Sequence, residues 1–292
     1  MDTAVSAAIS IAFHGTAFAM VLYLVSVGLS VTMGLMGFVN LAHGAFAMFG
    51  GYVIVLAMNR ANFGFPVAIV LGFVATAALS IVLERALYRR LYRAGELDQV
   101  LFTIGLIFIF IAGATIVVGP GSQTLQLPAA LGGQLNLGFI QYRTYSIFLI
   151  GVGILIVLGI WLAFERTRIG AEIRATVDNR RMAESLGIDV DRLFTITFAF
   201  GSGMAGLGGG LGADFLGLDP QYSLKYLVYF LIAVSVGGLG SVVGVYYASL
   251  ILGVLDFVLT LYLPKGGTIF IYILTILILL ARPQGLLGRK EL

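Results

Sequence analysis

The sequence contains no cysteine and only two histidines, at positions 14 and 43. Without cysteine, the chain can form neither a disulfide framework nor a thiolate metal site. Two histidines are too few for a histidine-based metal cluster, and the acidic residues are scattered without pairing. A membrane-embedded enzyme would need such a constellation. We therefore expect no metal site, no catalytic residue and no enzymatic activity on this chain.

Charged residues are also scarce: they make up 11% of the 292 residues, whereas 60% are hydrophobic. A soluble domain carries about 25% charged and about 45–50% apolar residues. A soluble fold of this length would have no surface on which to place so much apolar area. A lipid bilayer accepts apolar side chains on the outside of a protein as well. The composition therefore predicts an integral membrane protein.

Long continuous apolar runs predict an all-α polytopic bundle, because a membrane β-barrel would show alternating strands of roughly ten residues. A spanning helix needs about 20 mostly apolar residues. The candidate spans are 10–33, 36–58, 66–84, 100–118, 144–164, 193–216, 226–247, 248–263 and 269–281. The last two are short and open to a different division. We expect eight or nine transmembrane helices in a single transmembrane domain, residues 1–292.

Glycine is abundant, with 39 residues, and forms two notable clusters. The stretch 34–51 predicts a broken or re-entrant segment, because glycine weakens a helix. The cluster 201–212 predicts close helix packing, which small residues permit in lipid, together with a kink or a break.

Arginine and lysine in short loops indicate which helix ends face the cytoplasm. Three segments are basic: the one after position 84, the connection 165–192, and the C-terminal tail. Their basic residues are Arg85, Arg89, Arg90 and Arg93, then Arg166, Arg168, Arg174, Arg180, Arg181 and Arg192, then Arg282, Arg289 and Lys290. We place all three segments, and with them the C-terminus, inside. The side of the N-terminus, where Asp2 is the charged residue, depends on whether 34–51 spans or re-enters.

The connection 165–192 is itself patterned. Ile169, Ile173 and Val177 recur at helical spacing, and charged residues fill positions between them. This pattern predicts one or two short amphipathic helices with a break at Gly187. Such a helix could rest on the membrane surface or dock into the groove of a partner, and periodicity alone leaves both open.

The same connection resembles the coupling loop of ATP-binding cassette importer permeases. The usual core of that loop is Glu-Ala-Ala, three residues and then Gly, and here Arg181-Met182-Ala183 precedes Gly187 with the same spacing. The Ala-to-Gly spacing matches, whereas Arg-Met replaces Glu-Ala. The resemblance implies a set of ATPase-coupling residues: Glu172, Arg174, Asn179, Arg180, Met182, Ala183, Leu186, Gly187 and Ile188.

Three further segments extend the resemblance over most of the chain. They are Gly37-Phe38-Val39-Asn40-Leu41-Ala42-His43-Gly44 with Gly50-Gly51-Tyr52 following, then Gly237-Gly238-Leu239-Gly240-Ser241, then the tail Arg282-Pro283-Gln284-Gly285-Leu286-Leu287-Gly288. Taken together, they resemble the LivH-like permeases of high-affinity branched-chain amino-acid importers. The sequence has no G-x-x-x-x-G-K-[ST] segment, so it cannot hold ATP phosphates in a P-loop.

This resemblance implies a permease subunit of a larger assembly in the bacterial inner membrane, moving solute by alternating access. The implied partners are a second permease, identical or sister, two cytosolic ATPase subunits that bind ATP and Mg, and an external solute-binding protein. No cofactor on this chain and no nucleic-acid partner is expected. The family serves leucine-like amino acids, urea, short amides and some aromatic acids, so the solute stays open.

Polar residues in apolar surroundings supply the candidate translocation path. Asn40, His43 and Gly44 lie in a glycine-bounded apolar stretch, and intramembrane polar groups default to a functional interpretation. An interhelical hydrogen bond that fixes a broken helix is the alternative. Gly238 and Ser241 complete the predicted path.

Three other charged residues lie within or at the end of apolar runs. Asp256 lies in a short apolar span and could pair with a partner subunit, line the path or sit near the membrane interface. Glu84 and Arg85 stand at a helix end, where we expect both side chains to snorkel towards the interface.

An ion-coupled secondary transporter is the competing function. Such folds often contain inverted repeats with broken helices near the bilayer midplane. The nearest candidate for a second copy of the His43 segment is Gly237–Ser241, which lacks the polar pair.

Overall fold

The computed structural model describes residues 3–92, 94–136, 141–263 and 267–288. Four charged residues used to predict the orientation lie outside the described residues: Asp2, Arg93, Arg289 and Lys290. The described helices are α1 (Thr3–Met36), α2 (His43–Asn59), α3 (Phe65–Leu83), a π-helical turn (Glu84–Tyr88), α4 (Arg89–Leu91), α5 (Glu96–Val117), α6 (Thr144–Arg166), α7 (Arg168–Asp178), α8 (Arg180–Ser185), α9 (Val190–Leu211), α10 (Ala213–Leu216), α11 (Tyr222–Gly237), α12 (Val242–Tyr262) and α13 (Gly267–Ala281).

The described part of the chain is an all-α membrane protein. Its small strands β1 (Gln134–Asn136) and β2 (Gln141–Arg143) form an antiparallel hairpin before α6. Five helical stretches are long and apolar enough to cross a membrane: Ile9–Met36, Phe65–Leu91, Glu96–Val117, Thr144–Arg166 and Val242–Tyr262. Three apolar helices are shorter: His43–Asn59, Tyr222–Gly237 and Ile269–Ala281.

The predicted interruption within 34–51 is real but narrower than expected. Gly37 has a φ of +60°, which glycine adopts without steric cost, and its N–H donates to the Met33 carbonyl at 3.0 Å, so that α1 ends. The chain is irregular from there to Ala42, and α2 begins at His43. The predicted start of a span at residue 36 is therefore wrong.

The predicted boundary between spans 226–247 and 248–263 is also wrong. The break lies at Gly238–Ser241, because Gly238 and Gly240 have φ values of +98° and +76°. Ser241 then caps α12, its hydroxyl accepting from the Gly244 N–H at 3.0 Å. The apolar run continues across this turn, so hydropathy gave no sign of it.

Helix α9 is the centre of the bundle and packs against α1, α2 and α3. The predicted span 193–216 divides into α9 and the short α10, and the expected interruption of the glycine cluster comes at its end, after Leu211. Up to that point the glycines serve close packing. A Cβ on Gly208 would lie 2.8 Å from Val25 of α1, and one on Gly203 would lie 2.8 Å from the Phe73 ring of α3.

Candidate functional site

The predicted amphipathic segment between α6 and α9 folds as the two short helices α7 and α8, which local caps fix in place. The Thr167 hydroxyl accepts from the Gly170 N–H at the start of α7 at 3.2 Å. The Asn179 side-chain oxygen accepts from the Met182 N–H at the start of α8 at 3.0 Å. Gly187, with a φ of +84°, ends α8 as predicted.

One side of these helices is buried against the bundle. Ala183 is fully buried and packs with Ile173, Phe194 and the end of α1 at Leu35 in a hydrophobic cluster separate from the main core. Ile188 is half-buried at the edge of this cluster. We call the end of the bundle that carries this cluster the basic end, because the basic connection lies there.

The other side of α8 presents apolar side chains outwards. Met182 is 59% exposed and Leu186 is 73% exposed. Arg180 and Glu184 of the same helix form an ion pair at 2.9 Å, and Arg168 and Glu172 form another in α7 at 2.9 Å. An exposed Met and Leu framed by fixed charges on a capped helix form a surface suited to docking.

Two further arginine contacts join the connection to the bundle. The Arg174 guanidinium donates to the Phe164 carbonyl at the end of α6. The Arg180 guanidinium lies 5.1 Å from the centroid of the Phe194 ring on α9. Such a cation–π contact is worth about 0.5–1 kcal/mol at an exposed site. The α7–α8 pair therefore contacts both helices that flank it.

Asn40, His43 and Gly44 are all buried between helices. The Tyr88 hydroxyl donates to Asn40 Oδ1 at 3.1 Å, and His43 Nε2 lies 2.9 Å from the Val25 carbonyl oxygen of α1. A Cβ on Gly44 would lie 3.0 Å from the Ser223 carbonyl oxygen of α11. These three residues therefore join α2 and the break before it to α1, the π-helical turn and α11.

Gly238 and Ser241 lie in the break between α11 and α12, which we call the second break. It contacts α1 nearer to the C-terminal end of that helix. The Gly240 N–H donates to the Ser30 carbonyl at 3.1 Å, whereas His43 meets α1 at Val25. Five residues of helix separate these two contacts by about 8 Å. The predicted path residues thus fall into two groups on successive turns of α1.

The second break also receives the C-terminal tail, so two of the sequence motifs meet there. The Leu286 N–H donates to the Val236 carbonyl at 2.7 Å, and the Leu287 N–H donates to the Gly237 carbonyl at 3.3 Å. A cavity of about 220 Å³ separates this break from α6 and α7. Its lining includes Trp161, Ile173, Arg174, Gly240, Ser241 and Leu287.

The interpretation of Glu84 as a snorkelling residue is wrong, whereas Arg85 is exposed. The Glu84 carboxylate is fully buried in the π-helical turn and accepts from Arg89 Nε at 3.0 Å and from the Tyr92 hydroxyl at 2.7 Å. The Thr195 hydroxyl of α9 donates to it at 2.9 Å. Burial, followed by the hydrogen bond to Glu84, raises the pKa of the Tyr92 hydroxyl.

Sequence reasoning missed the partners of Glu84, because no local pattern marks Thr195 or Arg89 as its donors. A carboxylate at the end of an apolar run was the available signal. Asp256 is half-buried and accepts from the Tyr229 hydroxyl at 2.9 Å. That bond shows how its carboxylate is held in the bundle and assigns it no further role.

Comparison with known sequences gives a consistent set of relatives. Residues 11–279 match the profile of a family described as the permease component of branched-chain amino acid transport systems. The chain is 29% identical to the high-affinity branched-chain amino acid permease LivH of Escherichia coli K12, over 96% of this chain and 95% of that one. It is 29% identical to BraD of Pseudomonas aeruginosa, over 92% of each.

Two more distant matches are a relative of lower identity and a solved structure. A probable LivH permease of Methanocaldococcus jannaschii is 25% identical, over 91% of this chain and 88% of that one. The structure of PsaBC from Streptococcus pneumoniae in complex with a Fab superposes with a TM-score of 0.52 at 16% identity. The superposition covers 92% of this chain and 89% of that chain, and at this identity it shows a shared fold alone.

Proposed function

This chain belongs to the family of permease components of branched-chain amino acid transport systems, and on that premise we propose that it is the membrane subunit of an ATP-binding cassette importer. The solute proposed is a branched-chain or related amino acid, as the names of the LivH and BraD relatives suggest. Urea and short amides are the alternatives. The single observation that carries the importer proposal is the capped α8 with its outward Met182 and Leu186.

The proposed assembly contains this chain, a second permease that is identical or sister, two cytosolic ATPase subunits and an external solute-binding protein. ATP and Mg bind to the ATPase subunits, so the chemical step takes place away from this chain. We propose eight or nine spans in one permease domain, residues 1–292, in the bacterial inner membrane. The basic end and the C-terminus face the cytoplasm, since basic segments gather there.

In the proposed mechanism, α7 and α8 dock into the ATPase pair. Burying an exposed Met or Leu side chain stabilises such a contact by about 1.5–3 kcal/mol each. The nine predicted coupling residues have different roles in this docking. Met182 and Leu186 supply apolar contact with the ATPase subunit. Asn179 and Gly187 fix the two ends of α8, and Ala183 packs this helix against the bundle. Arg174 and Arg180 hold the pair against α6 and α9, and Ile188 packs at the edge of the Ala183 cluster. Glu172 pairs with Arg168 within α7.

Closure of the ATPase pair on ATP would then move α8, and the bundle would switch between outward-open and inward-open forms. We propose that Asn40, His43, Gly44, Gly238 and Ser241 border the path in one of these forms. Among the described residues, Asn40 Nδ2 and His43 Nδ1 are buried without a hydrogen-bond partner. Buried polar atoms are rarely left so, and a solute or water in the path would supply the missing partners.

The docking part of the proposal is tested by gentle extraction of the chain from its native membrane, followed by measurement of ATPase activity in the purified sample. The variant Met182→Ser with Leu186→Ser removes the apolar contact from an exposed surface and leaves the fold intact. Ser185→Ala, in the same helix, is the matched control. We expect the double variant to lose most of the ATPase activity and the control to retain it. Equal activity in the two would contradict docking through α8.

A further inference from the structure

The buried carboxylate of Glu84 lies between helices α7 and α8 and the irregular segment Gly37–Ala42. Glu84 is fully buried, and its donors come from three places in the chain: Arg89 in α4, Tyr92 just after it, and Thr195 in α9. A buried carboxylate without donors is strongly unfavourable. These hydrogen bonds therefore fix the π-helical turn to α9 in a defined position.

The α9 end of this network contacts the coupling helices directly. Phe194, adjacent to Thr195, lies under the Arg180 guanidinium and packs in the cluster that buries Ala183. A second ion pair joins Arg180 to Asp191 at 3.8 Å. Helix α8 is therefore connected to the first turns of α9 by both charge and packing.

The other end of the network reaches the break before α2. Tyr88, the last residue of the π-helical turn, is fully buried, and its hydroxyl donates to Asn40 at 3.1 Å. Its ring also lies 5.3 Å from that of Phe38 and 4.8 Å from that of Phe198 on α9. A π-helical turn inside a helix often marks a functional site, and here it carries Glu84 at one end and Tyr88 at the other.

We propose that Glu84 is a positioning residue for transport, which links the movement of α8 to the Gly37–Ala42 break through Thr195 and Tyr88. This inference rests on the proposed importer function and deepens it. Glu84 does not touch solute in this arrangement. It fixes the π-helical turn to α9, so that α9 and the Gly37–Ala42 break move together. Loss of the link leaves ATP hydrolysis running without transport.

The test compares ATP hydrolysed with leucine transported in vesicles that hold the purified assembly, supplied with its solute-binding protein. Thr195→Val keeps the shape of the side chain and removes the hydroxyl that reaches Glu84. Thr197→Val is the matched control, because this threonine is also buried in α9, but its hydroxyl has no partner among the described residues. Thr195→Ser restores the hydroxyl and serves as the rescue.

We expect Thr195→Val to raise the ratio of ATP hydrolysed to leucine transported by about two- to thirtyfold, the range found for mutations along coupled networks. Thr195→Ser and Thr197→Val should keep the wild-type ratio. Tyr88→Phe, which removes the hydroxyl from the other end, should raise the ratio as well. It provides the measurement if Thr195→Val fails to assemble.

Three results would overturn the inference: an unchanged ratio in Thr195→Val and Tyr88→Phe, equal loss of both activities, or the same change in Thr197→Val. Each of these leaves ATP-driven transport by the wild type intact, so the importer proposal would stand. Failure of the importer proposal itself gives a different result, in which wild-type vesicles with ATP transport neither leucine nor urea nor a short amide.

Discussion

Gly28 of α1 and Gly201 of α9 meet backbone to backbone: a Cβ on Gly201 would lie 2.8 Å from the Gly28 carbonyl oxygen. Neither helix has room for a side chain at this crossing. Lipid tails are as apolar as the side chains, so helices gain little free energy by removing apolar side chains from lipid. Close packing of this kind is therefore a main source of helix association. The crossing lies on α9, which also carries Thr195 towards the basic end.

We predict that Gly201→Ala destabilises the bundle by about 1–3 kcal/mol, because the added methyl group must push α1 and α9 apart. Gly105→Ala is the control, since a Cβ there meets nothing within 4 Å. Thermal unfolding in detergent measures both. A Gly201→Ala protein as stable as the control would show that the two helices are not packed so closely.

Asn179→Ala should weaken retention of the ATPase subunits, because it removes the side-chain cap of α8. An N-cap of this kind is worth about 1 kcal/mol. Asn179→Ser keeps a capping oxygen and should retain them. The measurement is ATPase activity after purification, and equal loss in the two variants would point to a role for Asn179 other than capping.

The two histidines allow a paired test of the predicted path. His43→Phe removes the buried ring nitrogens, so we expect leucine uptake to fall at least tenfold, which corresponds to about 1.4 kcal/mol. His14→Phe is the control, because the His14 ring stacks on the Phe257 ring with 5.4 Å between their centroids, and a phenyl ring can stack in the same way. Similar leucine uptake by both variants would show that His43 is not part of the translocation path.

Gly285→Ala should release the C-terminal tail from the second break. Gly285 has a φ of +80°, and a Cβ there would lie 2.6 Å from the Gly238 nitrogen. We expect the Leu286 N–H, which donates to the Val236 carbonyl at 2.7 Å, to exchange with deuterium faster in the variant than in the wild type. An unchanged exchange rate would show that the tail is held by other contacts.

Much of the fold could be predicted from the sequence, because composition and long apolar runs decide the all-α membrane class. The capped helices of the connection were also predictable, since amphipathic spacing and Gly187 leave local signals. The turn at Gly238–Ser241 was not, because its glycines and Ser241 lie between apolar residues on both sides and leave the mean hydropathy high. The glycines of α9 were ambiguous, since a sequence does not show whether glycine breaks a helix or admits a neighbour.

The candidate site was predictable only where a motif carried it. Asn40 and His43 stood out as polar residues in apolar surroundings, but the sequence did not indicate that Val25 and Tyr88 contact them. Glu84 was misread because its partner Thr195 lies 111 residues away. A buried hydrogen bond between residues so far apart in the chain depends on tertiary packing, which no local pattern records.

The most direct test of the central claim is the energy source for uptake of radiolabelled leucine by cells with and without this chain. The proposed function predicts that deletion of the chain removes part of the uptake. It also predicts that this part survives an uncoupler while glycolysis maintains ATP, and disappears when arsenate depletes ATP. Uptake that depends on the chain but is abolished by the uncoupler at unchanged ATP would contradict the account and indicate an ion-coupled transporter.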